Sequence, residues 1–458
     1  MTETISAIAT PAGRGGVGIV RTSGPDSREI LGTLVPDWPD DHPSHKLRHS
    51  EIRTPEGELL DRSLAVFMEG PETYTGEDVV EFQCHGGPMV MRRVLDATLE
   101  CGARMAEPGE FTRRAFLNGR IDLTQAEAVA DLVEATSERA HEMALDHLEG
   151  RLGSTIEQQR ERVGEALTLI EASIDFSHQA HVGNVDTDEV LERVDAALDE
   201  LRRLEEQFDR GRRQREGVRV VILGPTNAGK STLFNALHGT DRAIITPVEG
   251  TTRDFLEEEL RLGGATVRLV DTAGLRQTDD EVETIGIERS RELKDDADVA
   301  VWTVDRSCGL DADSRDVLEQ LRDEQTPTVV ALNKSDLEDG LADGDRGFLE
   351  GFDRVVETAF PEEAPAEGLD ALTDELEELA ERLTSGEGVL LSRTRHLEGV
   401  RSAIESLERA RRAVVAEREL EFIAVDLRDG LDALGEIVGE VSTDDILGRI
   451  FDEFCVGK

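Results

Sequence analysis

Val218 to Ala236 reads VRVVILGPTNAGKSTLFNA, and the rest of the chain is read outward from it. Five of its first six residues are apolar, as expected of a strand buried on both faces. The sequence then passes through Gly224-x4-Gly229-Lys230-Ser231 into a helical apolar pattern. Strand, glycine loop and helix in that order predict a phosphate-binding turn, because the two glycines let successive backbone N–H groups curl around a phosphate chain. Lys230 adds a point charge at the β and γ oxygens, and Ser231 a hydroxyl for Mg2+. Asn227, Ala228, Gly229, Lys230, Ser231 and Thr232 are the predicted phosphate-binding run.

Three further stretches follow in the order a guanine-nucleotide fold demands. Gly250-Thr251-Thr252-Arg253-Asp254 is a polar loop whose threonine hydroxyls are free to reach Mg2+ and a γ-phosphate. Ala265 to Val270 alternates like a strand and ends in Asp271-Thr272-Ala273-Gly274, which places a carboxylate beside the metal and a glycine N–H near the phosphate. Pro327 to Leu332 leads into Asn333-Lys334-Ser335-Asp336. The Asp336 carboxylate can accept from both N1–H and the exocyclic amine of guanine, donors that adenine lacks on that edge. The predicted nucleotide is therefore GTP. Thr358-Ala359 stands where such folds usually carry Ser-Ala against the base. Directly after Gly274 comes Leu275, where many GTPases use a glutamine to position water, so another group must take that task.

A chain of 458 residues has room for about three domains. The start, MTETISAIATPAG, carries neither a basic segment nor an apolar one, and no run reaches membrane-spanning length. A soluble cytoplasmic protein with no integral membrane association is expected. Cysteines 84, 101, 308 and 455 show no CxxC spacing and no histidine pairing, so neither a disulfide framework nor a structural metal is indicated. The formal charge is −48, and lysine occurs only at 46, 230, 294, 334 and 458. Carboxylates are interspersed along the whole chain, a pattern that reads as adaptation to a salt-filled, halophilic cytoplasm. A disordered acidic chain is excluded by 38% hydrophobic residues in periodic arrangement.

Residues 1–118 read as mixed α/β. Strands are expected at Thr4 to Ala9, Val17 to Arg21, Arg62 to Met68 and Asp78 to Gln83, and the loop Pro11-Ala-Gly-Arg14-Gly-Gly as a tight hairpin. His85, in a His-Gly-Gly-Pro turn, reads as a turn or packing histidine rather than a general base. From about 119 the pattern turns helical. Thr124-x-x-Glu127 reads as a capping box, followed by helical stretches at Ile156 to Phe176 and Val190 to Phe208. Arg210 to Arg215 reads as a basic linker. After a last nucleotide-domain helix at Gly368 to Leu383, helix resumes from Leu390 to Val441. Helices on both sides predict that the nucleotide domain is inserted into an all-helical one.

In the order in which they occur, Thr10-Pro-Ala-Gly-Arg-Gly-Gly-Val-Gly-Ile19, Phe116-Leu-Asn118, Asp122-Leu123, Gln125-Ala-Glu127, the nucleotide motifs and Phe454-Cys-Val-Gly-Lys458 resemble the MnmE (TrmE) family of bacterial tRNA modification GTPases. Departures from the family pattern are Pro225-Thr226 in the phosphate loop, Cys84 for glycine, Arg120 for lysine and Val456 for isoleucine. None removes a chemical group the reading uses. The resemblance implies a multidomain α+β and α/β protein: a folate-binding and dimerising α/β domain over 1–118, a P-loop GTPase domain over 216–384, and an all-helical domain built from 119–215 and 385–458. It further implies a homodimer that joins the flavoprotein MnmG, as a heterotetramer, to modify the wobble uridine of certain tRNAs at C5. Implied cofactors are GTP, Mg2+, K+ and 5-formyltetrahydrofolate. Mg2+ would be held by Ser231 and Thr252, and K+ by Asn227, Thr246, Val248 and Thr251. Glu283 would orient water, with Arg253 and Asp271 as further catalytic candidates. Arg21, Glu81, Arg120 and Lys458 match the folate ligands. Cys455 stands as a positioning group or, with less weight, as a nucleophile. A ribosome-assembly GTPase should carry a KH-type RNA module after the nucleotide domain, and no GxxG in a basic βαα pattern follows it. A filament-forming GTPase would leave Cys455 and the N-terminal domain idle.

Overall fold

Alternating apolar residues build the first sheet of the computed structural model, which describes residues 3–176, 186–239, 256–271, 297–361, 365–386, 388–441, 444–452 and 454–458. Its strands are β1 (Ile5–Ile8), β2 (Gly18–Ser23), β3 (Arg48–Arg53), β4 (Leu59–Met68), β5 (Val79–Cys84) and β6 (Arg104–Met105), in the order β3-β4-β5-β2-β1-β6. All neighbours are antiparallel except β1 and β6. Helices α1 (Ser27–Leu34) and α2 (Pro88–Glu100) cover one face. There Val20, Val80, Phe82, Ala65 and Phe67 meet Ile30, Leu31, Met91 and Val94 in one apolar core. The opposite face carries Arg21 and Glu81, which pair across β2 and β5. Helix α3 (Glu110–Leu117) lays Phe111 against Ile5, Ala7 and Ala106. The four expected strands are present; β3, β6 and the three helices are additions of the structure.

The helical stretch from 119 is interrupted into α4 (Leu123–Glu134), α5 (Glu138–Leu148), α6 (Arg151–Phe176) and α7 (Thr187–Glu206). The capping box lies two residues earlier than Thr124 and Glu127. Asp122 Oδ1 accepts from the Gln125 backbone N–H at 2.9 Å, and Gln125 Oε1 accepts from the Asp122 N–H at 3.0 Å. The helix already begins at Leu123, so the cap must precede it. Residues 210–215 are likewise no linker but part of α8 (Phe208–Glu216). Arg212 and Arg213 both donate to Asp298 Oδ1, at 2.7 and 2.8 Å, while the Arg219 backbone N–H donates to Oδ2 at 2.9 Å. A run of good helix formers has found a carboxylate that is only 3% exposed.

The nucleotide domain is a second sheet of β7 (Val218–Leu223), β8 (Leu256–Leu262), β9 (Ala265–Asp271), β10 (Val299–Asp305), β11 (Thr328–Asn333) and β12 (Val355–Glu357). The order is β12-β11-β10-β7-β9-β8, parallel apart from β8 against β9. Both faces are covered, as a parallel sheet requires. Helices α9 (Lys230–His238) and α12 (Leu369–Thr384) pack Leu233, Phe234, Leu372 and Leu376 on one side. Helices α10 (Ala312–Asp323) and α11 (Asp343–Leu349) pack Val317, Leu318, Leu321 and Leu349 on the other. Where the domain begins and ends it is tied to itself: Gln214 Nε2 donates to the Thr384 carbonyl at 2.5 Å, across 170 sequence positions.

Helices α13 (Thr394–Val415), α14 (Leu420–Val438) and α15 (Asp444–Asp452) return to the earlier helices. Arg428 of α14 pairs with Glu171 of α6, Arg411 of α13 with Asp195 of α7, and α15 packs Leu447, Ile450 and Phe451 against Leu123 and Ala126. A helical layer drawn from both sides of the nucleotide domain is the inserted topology the sequence implies. The chain divides into two compact units, one of Met1–Val133, Asp146–Leu198 and Ser402–Lys458, the other of Glu134–Leu145 and Asp199–Arg401. Among the described residues no helix is long and apolar enough to cross a membrane.

Candidate functional site

β7 lies between β10 and β9, the point from which the sheet grows in both directions, and a ligand crevice forms at the carboxyl ends of strands at such a point. The loop that leaves β7 there is left-handed at Gly224, Asn227 and Gly229, with φ of 140°, 61° and 99°. Glycine is required at 229 for a second reason: a Cβ there would stand 2.1 Å from Asn333 Nδ2. Lys230 Nζ lies inside the turn, donating to the Gly224 and Pro225 carbonyls at 2.9 and 2.7 Å. Asn227, Ser231 and Thr232 are exposed, and Ala228 is buried. Left-handed backbone, an ammonium and an exposed hydroxyl at a helix N-terminus form a donor set that fits phosphate and a hard cation.

The guanine motif reaches the same edge from β11. Asn333 does structural work: its Nδ2 donates to the Ala228 carbonyl at 2.8 Å, and its Oδ1 accepts from Thr358 Oγ1 at 3.3 Å. The Ser335 N–H donates to the Thr358 carbonyl at 3.1 Å, so Thr358 and Ala359, both buried, are brought beside the motif. Lys334 is left-handed at φ 62° and its Nζ meets Asp305 Oδ2 at 2.6 Å. Burial alone would raise the Asp305 carboxyl, but hydrogen bonds from Lys334 and Ser307 hold it below the usual carboxylate range. Asp336 is exposed, its carboxylate in reach of a ligand. Asp305 escaped the sequence reading, although an acid closing the apolar strand VAVWTVD at the same edge was a usable signal. Thr246, Val248, Thr251, Thr252, Arg253, Thr272, Ala273, Gly274 and Glu283 lie outside the described residues, as does the side chain of Asp271.

A second constellation occupies the face of the N-terminal sheet opposite α1 and α2. Arg21 Nη2 meets Glu81 Oε1 at 2.8 Å, and the guanidinium lies 5.7 Å from the centre of the Phe111 ring. The Phe111 N–H donates to the Lys458 carbonyl at 3.1 Å, and the Gly109 N–H to that of Cys455 at 3.4 Å. Pro108 and Val456 form a β-bridge. Gly457, at φ 98°, has no room for a side chain, since a Cβ would stand 2.3 Å from the Ile8 carbonyl oxygen. The tail is therefore seated, not frayed, and it brings the backbone of Lys458 to Phe111, whose ring lies beside Arg21. Cys455 is exposed. Arg120 follows α3 with its Cγ beside Gly76, and Tyr74, whose hydroxyl bonds Thr112 Oγ1 at 2.8 Å, is a neighbour that sequence reasoning missed. His85 does not pack: its ring is 73% exposed and held by Asp61. Burial pushes the neighbouring Cys84 thiol up to about 12, so it is no nucleophile.

The sequence profile of the TrmE N-terminus matches residues 4–120, and that of the MnmE helical domain residues 123–455. The tRNA modification GTPase MnmE of Carboxydothermus hydrogenoformans is 40% identical over 470 residues, covering 100% of both chains. Those of Geobacter metallireducens and Symbiobacterium thermophilum are 43% and 42% identical over 462 and 461 residues, covering 100% of this chain and 99% of theirs. The chain belongs to the MnmE family of tRNA modification GTPases. The two MnmE segments meet at Ile121 and Asp122, where the reciprocal cap begins the helical layer. In MnmE terms, the seated tail joins the end of the helical match to the sheet of the N-terminal one.

Proposed function

We propose that the chain hydrolyses GTP and, with a flavoprotein partner of the MnmG type, modifies the wobble uridine of tRNA at C5 with a one-carbon unit from 5-formyltetrahydrofolate. The observation that carries this reading is the full-length match, 40% identical, to proteins named tRNA modification GTPases. Two constellations on this chain support it. In the first, the loop of Asn227 to Thr232 would cradle the phosphates, and Asn333, Lys334 and Asp336, backed by Thr358 and Ala359, would select guanine. Ser231 and Thr252 would hold Mg2+, and Asn227 with Thr246, Val248 and Thr251 would hold K+; these ions neutralise charge on the phosphates. Asp271 would place a carboxylate beside the metal, Glu283 would orient the attacking water in place of the glutamine that Leu275 displaces, and Arg253 would belong to the same catalytic set. Thr272, Ala273 and Gly274 complete the phosphate contacts.

In the second, Glu81 would accept from pterin N–H groups, and Arg21, Arg120 and Lys458 would pair with folate carboxylates or carbonyls. Cys455 would position the ligand. The chain acts as a homodimer in the cytoplasm, and its charge of −48 reads as halophilic adaptation. Hydrolysis is expected to be several-fold or more faster in KCl than in NaCl at equal ionic strength; equal turnover removes the K+ assignment. Deleting Cys455 to Lys458 should abolish wobble modification and weaken folate binding while K+-stimulated hydrolysis persists. Nucleoside analysis of tRNA from cells with and without the gene tests the whole reading.

A further inference from the structure

Asp305 closes β10 with a carboxylate that does more than its turn requires. It stands directly beside Asn333 in the strand register, and its Oδ1 accepts from the Ser307 N–H at 3.0 Å and from Ser307 Oγ at 2.6 Å. Those bonds make an Asx turn, which an asparagine would form equally well. The second oxygen is left over, and it is there that Lys334 Nζ donates at 2.6 Å. Asparagine would present an amide N–H in place of one of the two oxygens, so it cannot serve both partners. The adjacent Arg306 does not compete for the acid, since it pairs with Asp339 and Glu357.

Lys334 is held at both ends. Its backbone is left-handed at φ 62°, uncommon for a residue with a side chain. Its carbonyl accepts from the Leu337 N–H at 3.0 Å, which closes one tight turn over Lys334, Ser335 and Asp336. Neighbouring strands stand about 4.8 Å apart, so the four-carbon stem crosses from the end of β11 to the end of β10 along the carboxyl edge of the sheet. The acid at its far end is 14% exposed, the lysine side chain 32%. The loop that carries the acid is stitched to the guanine motif. The Arg306 N–H donates to the Asn333 carbonyl and the Gly340 N–H to the Arg306 carbonyl, both at 3.0 Å. A Cβ at Gly340 would stand 2.0 Å from the Ser307 carbonyl oxygen. A ring whose edge is held by Asp336 therefore lies alongside a stem of fixed course.

We propose that Asp305 is a positioning residue for the guanine base: by anchoring the Lys334 ammonium it lays the lysine stem out as an apolar wall against the face of the ring, while Asp336 reads the edge. This rests on the assignment of Asn333 to Asp336 as the guanine motif. A free lysine would lose its rotamer freedom when the base binds, whereas an anchored stem has lost it beforehand. Asp305 thus contributes to nucleotide affinity without touching the nucleotide. Hydrolysis takes place at the phosphate end of the ligand, so the contribution is equal in the bound ground state and in the transition state.

The test measures binding of fluorescent derivatives of GDP and of inosine diphosphate to the full chain with Mg2+, and steady-state hydrolysis of GTP. Asp305→Asn is expected to weaken GDP about 10-fold or more, to raise KM for GTP in step, and to leave kcat within about two-fold of the wild type. Inosine diphosphate lacks the exocyclic amine that Asp336 reads but presents the same kind of ring face, so the ratio of the two affinities should stay at its wild-type value. Lys334→Met removes the anchor from the other end and should weaken GDP by a similar factor. The double variant should bind no more weakly than the weaker single one, because both changes break one contact. Additive losses overturn the positioning role, as does full affinity in either single variant or a collapsed affinity ratio in Asp305→Asn. A fall in kcat with KM unchanged overturns it too. If circular dichroism shows that Asp305→Asn does not fold, Lys334→Met carries the affinity test alone. A wild-type chain that binds ADP as tightly as GDP removes the guanine assignment and the positioning role with it. A guanine-selective wild type with unaltered affinity in Asp305→Asn removes only the positioning role.

Discussion

At the scale of single residues, the nucleotide site depends on a contact that no phosphate makes. Asn333 braces the phosphate loop through the Ala228 carbonyl, and it can do so only because residue 229 has no side chain. Gly229→Ala should therefore displace Asn333 as well as strain the loop, and a fluorescent guanine nucleotide should bind roughly 100-fold or more weakly. Retained affinity would show that the brace is dispensable. A second residue-scale device is Glu110, which is 9% exposed and pairs with both Arg104 and Arg114. Burial raises its carboxyl, but the hydrogen bonds from Arg104 and from the Glu107 N–H outweigh this and leave it lowered. A depressed carboxyl stabilises the fold fully above the ordinary carboxylate range, and the gain is lost as pH falls through the folded value. Melting midpoints measured from about pH 5 down to 3 should drop, and Glu110→Gln should flatten part of that drop.

At the scale of elements, α8 is held by one buried acid. Removing Asp298 leaves two guanidinium groups and the Arg219 N–H without that partner, and Asp298→Ala should cost about 3 kcal/mol in the unfolding of the unit that contains the nucleotide domain. Asp122→Ala should cost about 1 kcal/mol through the lost cap, and Thr124→Val, which removes the hydroxyl that donates to the capping oxygen of Asp122 at 2.6 Å, should cost a part of that amount. These two elements also mark where the sequence was legible and where it was not. The phosphate loop and the Asn333 to Asp336 motif could be read because their chemistry demands particular residues at particular spacings. Arg210 to Arg215 could not, because its partner carboxylate lies 85 positions from Arg213 and nothing local names it. The cap was misplaced by two residues because Asp122-x-x-Gln125 and Thr124-x-x-Glu127 both fit the template, and only the reciprocal bonds of Asp122 and Gln125 decide between them. The pairing of Arg21 with Glu81 across β2 and β5 and the hold of Asp61 on His85 across 24 positions both arise from strand neighbours that nothing local in the sequence names.

At the scale of the whole molecule, a charge of −48 sets the solution behaviour. Self-repulsion destabilises the compact state and is screened by salt, so the melting midpoint should rise as KCl goes from low to about 1 M. Affinity for tRNA should fall little over that range, because an acidic surface has few counterions to release from the nucleic acid; a steep loss would refute this. The bond between Gln214 and Thr384 has a different kind of consequence. To the helices that flank it, an unfolded insert is a loop of 170 positions; a folded one, clamped at its two ends, is a loop of a few. The difference amounts to roughly five doublings of loop length, ~3 kcal/mol of closure entropy. Folding of the nucleotide domain thus shortens the search by which α6 finds α14. Guanine nucleotide, by holding that domain folded, should act on this protein as a folding aid before it acts as a substrate.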